Sequence, residues 1–205
     1  MAFWNAPIEV QDHRRQACLA AIAAQEAMAR LNRDLDSSVP EPPMIRIGIN
    51  SGKMTVGLTG SEKKLQYTVI GDEVNLASRL EGANKFFGSR IIASEATYLS
   101  AQSSIEAREL GLVQVVGKAA PVKVYEIIGR KEVLSEDWKT ALPLYENALQ
   151  KFHLRLYSEA AELFEQFLKI FPNDGPVAFY LAASRDYAAI PPDPSWDGVI
   201  KLTAK

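Results

Sequence analysis

The sequence predicts an α+β domain followed by an all-helical module, and three observations lead there. Over roughly the first 130 residues, short β-rich runs alternate with helical patterns. After about Arg130, three amphipathic helical patterns follow one another with no strand between them. At 205 residues, 47% of them apolar, the chain is long enough for one ordinary domain and a smaller one. The boundaries read as 1–130 and 131–205.

From the start, "MAFWNAPIE" is strongly apolar and runs into a proline turn, as the end of a core strand would, so it reads as the interior of a longer sequence. Between about Ile8 and Leu35, Ala17, Ala20 or Ala21, Ala24, Met28 and Leu31 or Leu35 recur at helical spacing and predict one long amphipathic helix. "DSSVPEPP" ends it, because proline cannot continue the hydrogen-bond ladder. "MIRIGINSGKMTVGLTG" then reads as a hairpin turning near Asn50-Ser51-Gly52.

"QYTVI" is a further strand, broken by Gly71-Asp72. "DEVNLASRLEGANKF" is a helix capped by Asp72 or a neighbour and ended near Gly88. "RIIAS" (Arg90 to Ser94) is a short buried strand, and "EATYLSAQ" a short helix. "LGLVQVVGKAAPVKVYEIIG" is a hairpin with Gly117 and Pro121 in its turn. Beyond it come "WKTALPLYENALQKF", "YSEAAELFEQFLKIFP" and "GPVAFYLAASRDYA". Leu144, Ala148, Ala160, Phe164 and Pro172 fall where a tetratricopeptide repeat places its large, small, small, aromatic and breaking residues. A single repeat is short of the stack needed for independent stability, so this module is expected to pack on the first domain or on a partner.

Composition excludes several functions. Lys and Arg nearly balance Asp and Glu, for a net charge of −2, and form no long runs, so nucleic-acid binding is not expected. Cys18, the single cysteine, sits in an Ala-rich stretch and reads as a small buried hydrophobe. Neither a membrane-spanning run nor a signal-peptide pattern appears. The expected setting is cytoplasmic, either free or as the cytoplasmic part of a larger, membrane-anchored protein.

Motifs narrow it further. "GINSGKMT" has three residues between its glycines and Met54 after Lys53, so it fails as a phosphate-binding Walker loop. His13 and His153 have no spaced partners that would make a metal site, and no "GxSxG" elbow is present. Asn75 and Arg79 are four residues apart and share a helix face, where they could converge on one ligand. The same spacing describes an ordinary solvated face beside Glu73 and Glu81.

"RIGINSGKMTVGLTGSEKKLQYTVIGDEVNLASRLE", with "GSRIIAS" and "VVGKAAPVKVYEIIG", resembles the catalytic domain of class III adenylate/guanylate cyclases, over roughly Met1 to Gly129. The helical tail resembles the extension that follows this domain in a group of bacterial cyclases. The resemblance implies a ferredoxin-like nucleotide cyclase fold whose domains pair head to tail, as a homodimer, with active sites at the interface. It gives Asn75 and Arg79 catalytic roles. An amide at the ribose helps align the 3′ oxygen on the α-phosphorus, and a guanidinium suits the phosphoryl oxygens where charge redistributes. Thr68 matches the base-selecting position and leans the substrate towards ATP. Lys118 matches a lysine-rich turn and is a candidate phosphate contact, with packing of the hairpin the equal alternative, since Val116 replaces a lysine common there.

The resemblance also implies two divalent cations, Mg or Mn, in the complete enzyme. The family's metal-binding aspartates and the lysine that reads adenine with Thr68 would all precede Met1, and Asp72 matches a later, non-metal position. The expectation is therefore a partial sheet lacking the metal-binding strands, with edges open to pairing by another chain. Such a chain would supply the base-reading and transition-state half, hold no metal itself and be inactive alone. The alternatives are a non-catalytic dimerisation or regulatory module, or a scaffold that binds a protein partner through its C-terminal helices.

Overall fold

A computed structural model describes residues 1–35, 39, 42–61, 64–115 and 120–202. In chain order its elements begin α1 (His13–Asp34), β1 (Ile47–Ile49), β2 (Thr55–Ser61), β3 (Lys64–Ile70), α2 (Asp72–Phe87), β4 (Ile91–Ser94) and α3 (Glu95–Ala101). They continue with β5 (Ile105–Gln114), β6 (Val122–Arg130), α4 (Glu136–His153), α5 (Tyr157–Ile170), α6 (Gly175–Ala189) and β7 (Ile200–Lys201). Mixed strands and helices come first and three helices follow, as the α+β reading expects. Among the described residues, no helix is long and apolar enough to cross a membrane.

Among the described residues, five strands form one mixed sheet in the order β1-β4-β6-β5-β7, while β2 and β3 form a separate pair. Side chains alternate across the sheet, and each face receives its own helices. Ile91 and Ala93 of β4 pack with Ala17, Cys18, Ala21 and Ile22 of α1. Ile92, between them, packs on the opposite face with Leu76, Leu80, Ala83 and Phe87 of α2. Those two helical stripes repeat every three or four residues, which is the helical period that buries one side. α1 begins at His13 rather than near Ile8, because Asn5 and Asp12 both adopt left-handed backbone angles that no helix contains.

One sequence expectation is corrected. β1 does not form a hairpin with β2: it pairs in parallel with β4, from Ile47 opposite Ile91 to Ile49 opposite Ala93. The reason is the proximity of α2. A Cβ on Gly48 would lie 2.2 Å from both the Ala77 carbonyl oxygen and the Glu81 nitrogen, so this strand lies directly on the helix backbone. Asn50 Nδ2 then donates to the Glu73 carbonyl at 3.0 Å and to Glu73 Oε2 at 2.7 Å. Residues 50–54 are used in passing the start of α2, not in turning back. β2 instead pairs antiparallel with β3, from Thr55 opposite Ile70 to Ser61 opposite Lys64.

The helical segment packs on the sheet through polar as well as apolar contacts. β5 carries a bulge, with Glu109 opposite Tyr125 and Gly111 opposite Val124, which leaves Leu110 as the extra residue. Tyr145 Oη of α4 donates to the Glu109 carbonyl at 2.7 Å, and Tyr180 Oη of α6 donates to the Leu110 carbonyl at 2.9 Å. Each bond contributes about 1 kcal/mol and, more to the point, prevents a buried carbonyl at the bulge from going unpaired. β7 then runs parallel to β5, with Val113 opposite Ile200 and Gln114 opposite Lys201, and so covers the final two residues of that sheet edge.

Candidate active site

β3, Gly71 and α2 form one strand-turn-helix unit that carries three of the predicted site residues. β3 ends at Ile70, and Gly71, at φ 155°, adopts a backbone conformation that a side chain would strain. Its carbonyl accepts from the nitrogens of Val74 and Asn75 at 3.1 and 3.3 Å and starts the helix. Asp72 and Glu73 occupy the first turn, where negative charge complements the helix dipole.

One side of α2 is fixed. Leu76 and Leu80 are buried, and Asn84 is wholly enclosed. Asn84 Nδ2 donates to the Ile47 carbonyl of β1 at 3.0 Å and to the Leu80 and Glu81 carbonyls, while its Oδ1 accepts from Ser89 Oγ at 2.9 Å. The other side is open. Asn75 is exposed and Arg79 half-buried, one turn apart. No hydrogen bond or ion pair among the described residues engages either side chain. Their donors therefore face solvent from a rigid support.

Thr68 lies on β3, half-buried, directly opposite Gly57 of β2. Because Gly57 has no side chain, and a Cβ there would meet nothing within 4 Å, open space adjoins Thr68 across the ladder. One unit thus brings Thr68, Asn75 and Arg79 within twelve residues of chain. Lys118 lies outside the described residues, which omit 116–119.

Sequence reasoning missed two supports of this unit, Asn84 and Asn50. Asn84 left a usable signal: it falls four residues after Leu80 and one after Ala83, a polar residue beside an apolar stripe. Asn50 left none, because its bond to Glu73 spans 23 residues.

The described residues do not fit a metal centre. Among them no group of three or more His, Cys, Asp or Glu side chains could hold an ion. Asp72 is exposed, and Glu73 is engaged by Asn50. Cys18 is fully buried, and burial pushes its thiol up to about 12, so it supplies neither nucleophile nor ligand near neutral pH.

Comparison with known proteins bears on what such a unit does. A sequence profile described as the adenylate and guanylate cyclase catalytic domain matches residues 1–129. Adenylate cyclase 1 of Rhizobium meliloti (strain 1021) is 37% identical over 128 residues, which cover 62% of this chain and 19% of that protein. The terminal-differentiation specific adenylate cyclase of Dictyostelium discoideum is 35% identical over 176 residues, covering 80% of this chain and 8% of that protein. That second match is longer than residues 1–129 and so reaches into the helical segment. The chain spans about a fifth or less of the length of these two relatives. Among solved structures, the adenylyl cyclase CyaB from P. aeruginosa superposes with a TM-score of 0.56 at 33% identity, over 65% of this chain and 68% of that one.

Proposed function

The chain belongs to the adenylate and guanylate cyclase catalytic domain family through residues 1–129, and from that membership we propose that it takes part in converting ATP to cyclic AMP and pyrophosphate for intracellular signalling. In this reaction the ribose 3′ oxygen loses its proton and bonds to the α-phosphorus, and the bond from that phosphorus to pyrophosphate breaks. The chain's residues would bind and orient. Thr68 offers a hydroxyl to adenine, Asn75 an amide to the ribose, and Arg79 a guanidinium to the phosphoryl oxygens as charge builds on them. The observation that carries this reading is the pairing of Asn75 and Arg79, unengaged and one turn apart, on a helix whose opposite side is fixed by Asn84 and the core.

On this reading the site forms at a head-to-tail interface between two such domains, in a cytoplasmic setting. Divalent cations would neutralise the triphosphate and activate the 3′ hydroxyl. The roles proposed for this chain's own residues are base reading and transition-state stabilisation, the half of the site that Thr68, Asn75 and Arg79 would supply. Lys118, outside the described residues, stays a candidate phosphate contact. A TPR-like tail over 131–205, which would meet a protein partner, is part of this proposal; its repeat-like packing is supported by Ala148, Ala160 and Phe164, all fully buried where such a repeat packs small residues against an aromatic one.

A complementation assay tests the proposal. The full chain is mixed with the catalytic domain of a related cyclase that keeps its metal-binding carboxylates but has its matching Asn and Arg replaced by Ala. Cyclic AMP should form from ATP with Mn²⁺ in the mixture and from neither protein alone. Arg79→Ala should lower the rate by about 10²- to 10³-fold. Turnover by the lone chain overturns the half-site reading, and a mixture indifferent to Arg79→Ala overturns the assignment.

A further inference from the structure

We propose that the helical tail is a positioning element for the proposed reaction: the start of α6 is a stop that seats the C-terminal end of α2, and with it Asn75 and Arg79. The inference rests on the roles just proposed for those two residues.

The contact is backbone on backbone. α2 ends at Gly88 in the left-handed conformation, at φ 71°, and Gly175 is the first residue of α6. A Cβ on Gly175 would fall 2.3 Å from the Phe87 carbonyl oxygen and 2.8 Å from Gly88 Cα. A Cβ on Gly88 would fall 3.1 Å from Gly175 Cα. Glycine at both positions is what allows the helix ends to meet. They meet N-terminus to C-terminus, so the partial positive charge of α6 faces the partial negative charge of α2.

Aromatic packing surrounds the contact. The Phe179 ring lies 5.1 Å from that of Phe86 and 5.5 Å, edge-on, from that of Phe87. The stop is itself anchored to the sheet. Asp174 Oδ1 accepts from the Val177 nitrogen at 2.9 Å and caps α6, while its Oδ2 holds Arg108 Nη2 at 2.7 Å. Arg108 in turn donates from Nε to Glu126 Oε2 at 2.8 Å, which links β5, β6 and α6. With Asn84 bonded to β1, the last turn of α2 is held from two directions.

Helices move nearly as rigid rods over this distance. Arg79 lies nine residues before Gly88, about 14 Å along the axis. A shift at the helix end is therefore delivered to Asn75 and Arg79, and a misplacement of about 1 Å at a reacting centre can cost about 10²-fold in rate.

The test uses the full chain with Gly175→Ala, with Phe179→Leu, and with Glu165→Ala as a control that breaks only the surface ion pair to Arg185. Hydrogen exchange along residues 72–87 is measured on the chain alone, and kcat and KM for ATP are measured in the complementation assay. Gly175→Ala and Phe179→Leu should raise exchange in α2 and lower kcat by about tenfold or more with KM within about twofold, the pattern of a group needed in the transition state. Glu165→Ala should change neither. Unchanged exchange in both folded variants, or altered exchange with unchanged kcat, overturns the proposal. If the wild-type mixture is inactive, the functional reading fails, while the exchange result still decides whether α6 seats α2. Should Gly175→Ala not fold, Phe179→Leu, which keeps an apolar side chain of similar size, decides alone.

Discussion

Asn75 and Arg79 contrast with Asn84 on the same helix, and the contrast separates activity from stability. Asn84 is enclosed and makes four hydrogen bonds, whereas Asn75 and Arg79 make no hydrogen bond or ion pair among the described residues. A side chain that makes no hydrogen bond or ion pair has little folding stability to lose on substitution. Asn75→Ala and Arg79→Ala should therefore leave the unfolding free energy from urea titration within about 0.5 kcal/mol of wild type while abolishing most complementation activity. Arg79→Lys separates charge from shape: lysine keeps the positive charge without the planar fork, and an about tenfold or greater loss of kcat is expected. A large drop in stability with either alanine variant would show that these groups are structural. The pairing was legible in the sequence, since a separation of four on a predicted helix gives one face. For Asn84 only the position beside the apolar stripe was legible; its partner, a strand carbonyl 37 residues away, was not.

At the level of elements, what could be read from the sequence was whatever local pattern determines. The helical stripe of α2, its Gly88 terminator, the buried β4 and the β5–β6 hairpin all follow from spacing and turn residues within one segment. β1 escaped, because its neighbour was decided by a contact outside the segment. The hairpin reading placed Gly52 in the turn, whereas Gly52 lies against the Glu73 side chain, and Gly48 in the strand before it gives room to α2. The bulge in β5 was hidden for the same reason, since its freed carbonyls are satisfied by tyrosines 36 and 70 residues later. Tyr180→Phe probes this: the ring packing stays and the Leu110 carbonyl loses its donor. The expected cost is about 1–3 kcal/mol by urea denaturation, from leaving a buried carbonyl unpaired. An unchanged midpoint would mean that water replaces the hydroxyl without loss.

Across the whole molecule, the sheet and the helical segment meet at a buried charge cluster. The Arg108 side chain is 1% exposed and pairs with Glu126 at 2.6 Å and Asp174 at 2.7 Å. Its guanidinium carbon also sits 4.8 Å from the centre of the Tyr145 ring and 5.4 Å from that of Trp138. Two carboxylates share one cation in a water-poor site. Burial raises the Glu126 carboxyl above its ordinary value of 4.5, with Asp174 adding to the rise and Arg108 only partly opposing it. For an acid raised on folding, the native state binds the proton more tightly than the unfolded chain does. Stability from this group is thus greatest at low pH and is lost as pH rises from about 4.5 through the folded value. Glu126→Gln removes the titration and keeps an oxygen to accept from Arg108 Nε. Melting temperatures taken from about pH 4 to pH 7 should therefore show wild type losing ground to Glu126→Gln as pH rises, whichever protein is the more stable at the start. A difference between the two that is flat with pH, or that moves in favour of wild type, would mean that Arg108 outweighs burial and holds Glu126 ionised. In that case the cluster would bind the helical segment to the sheet most strongly at neutral pH instead of most weakly.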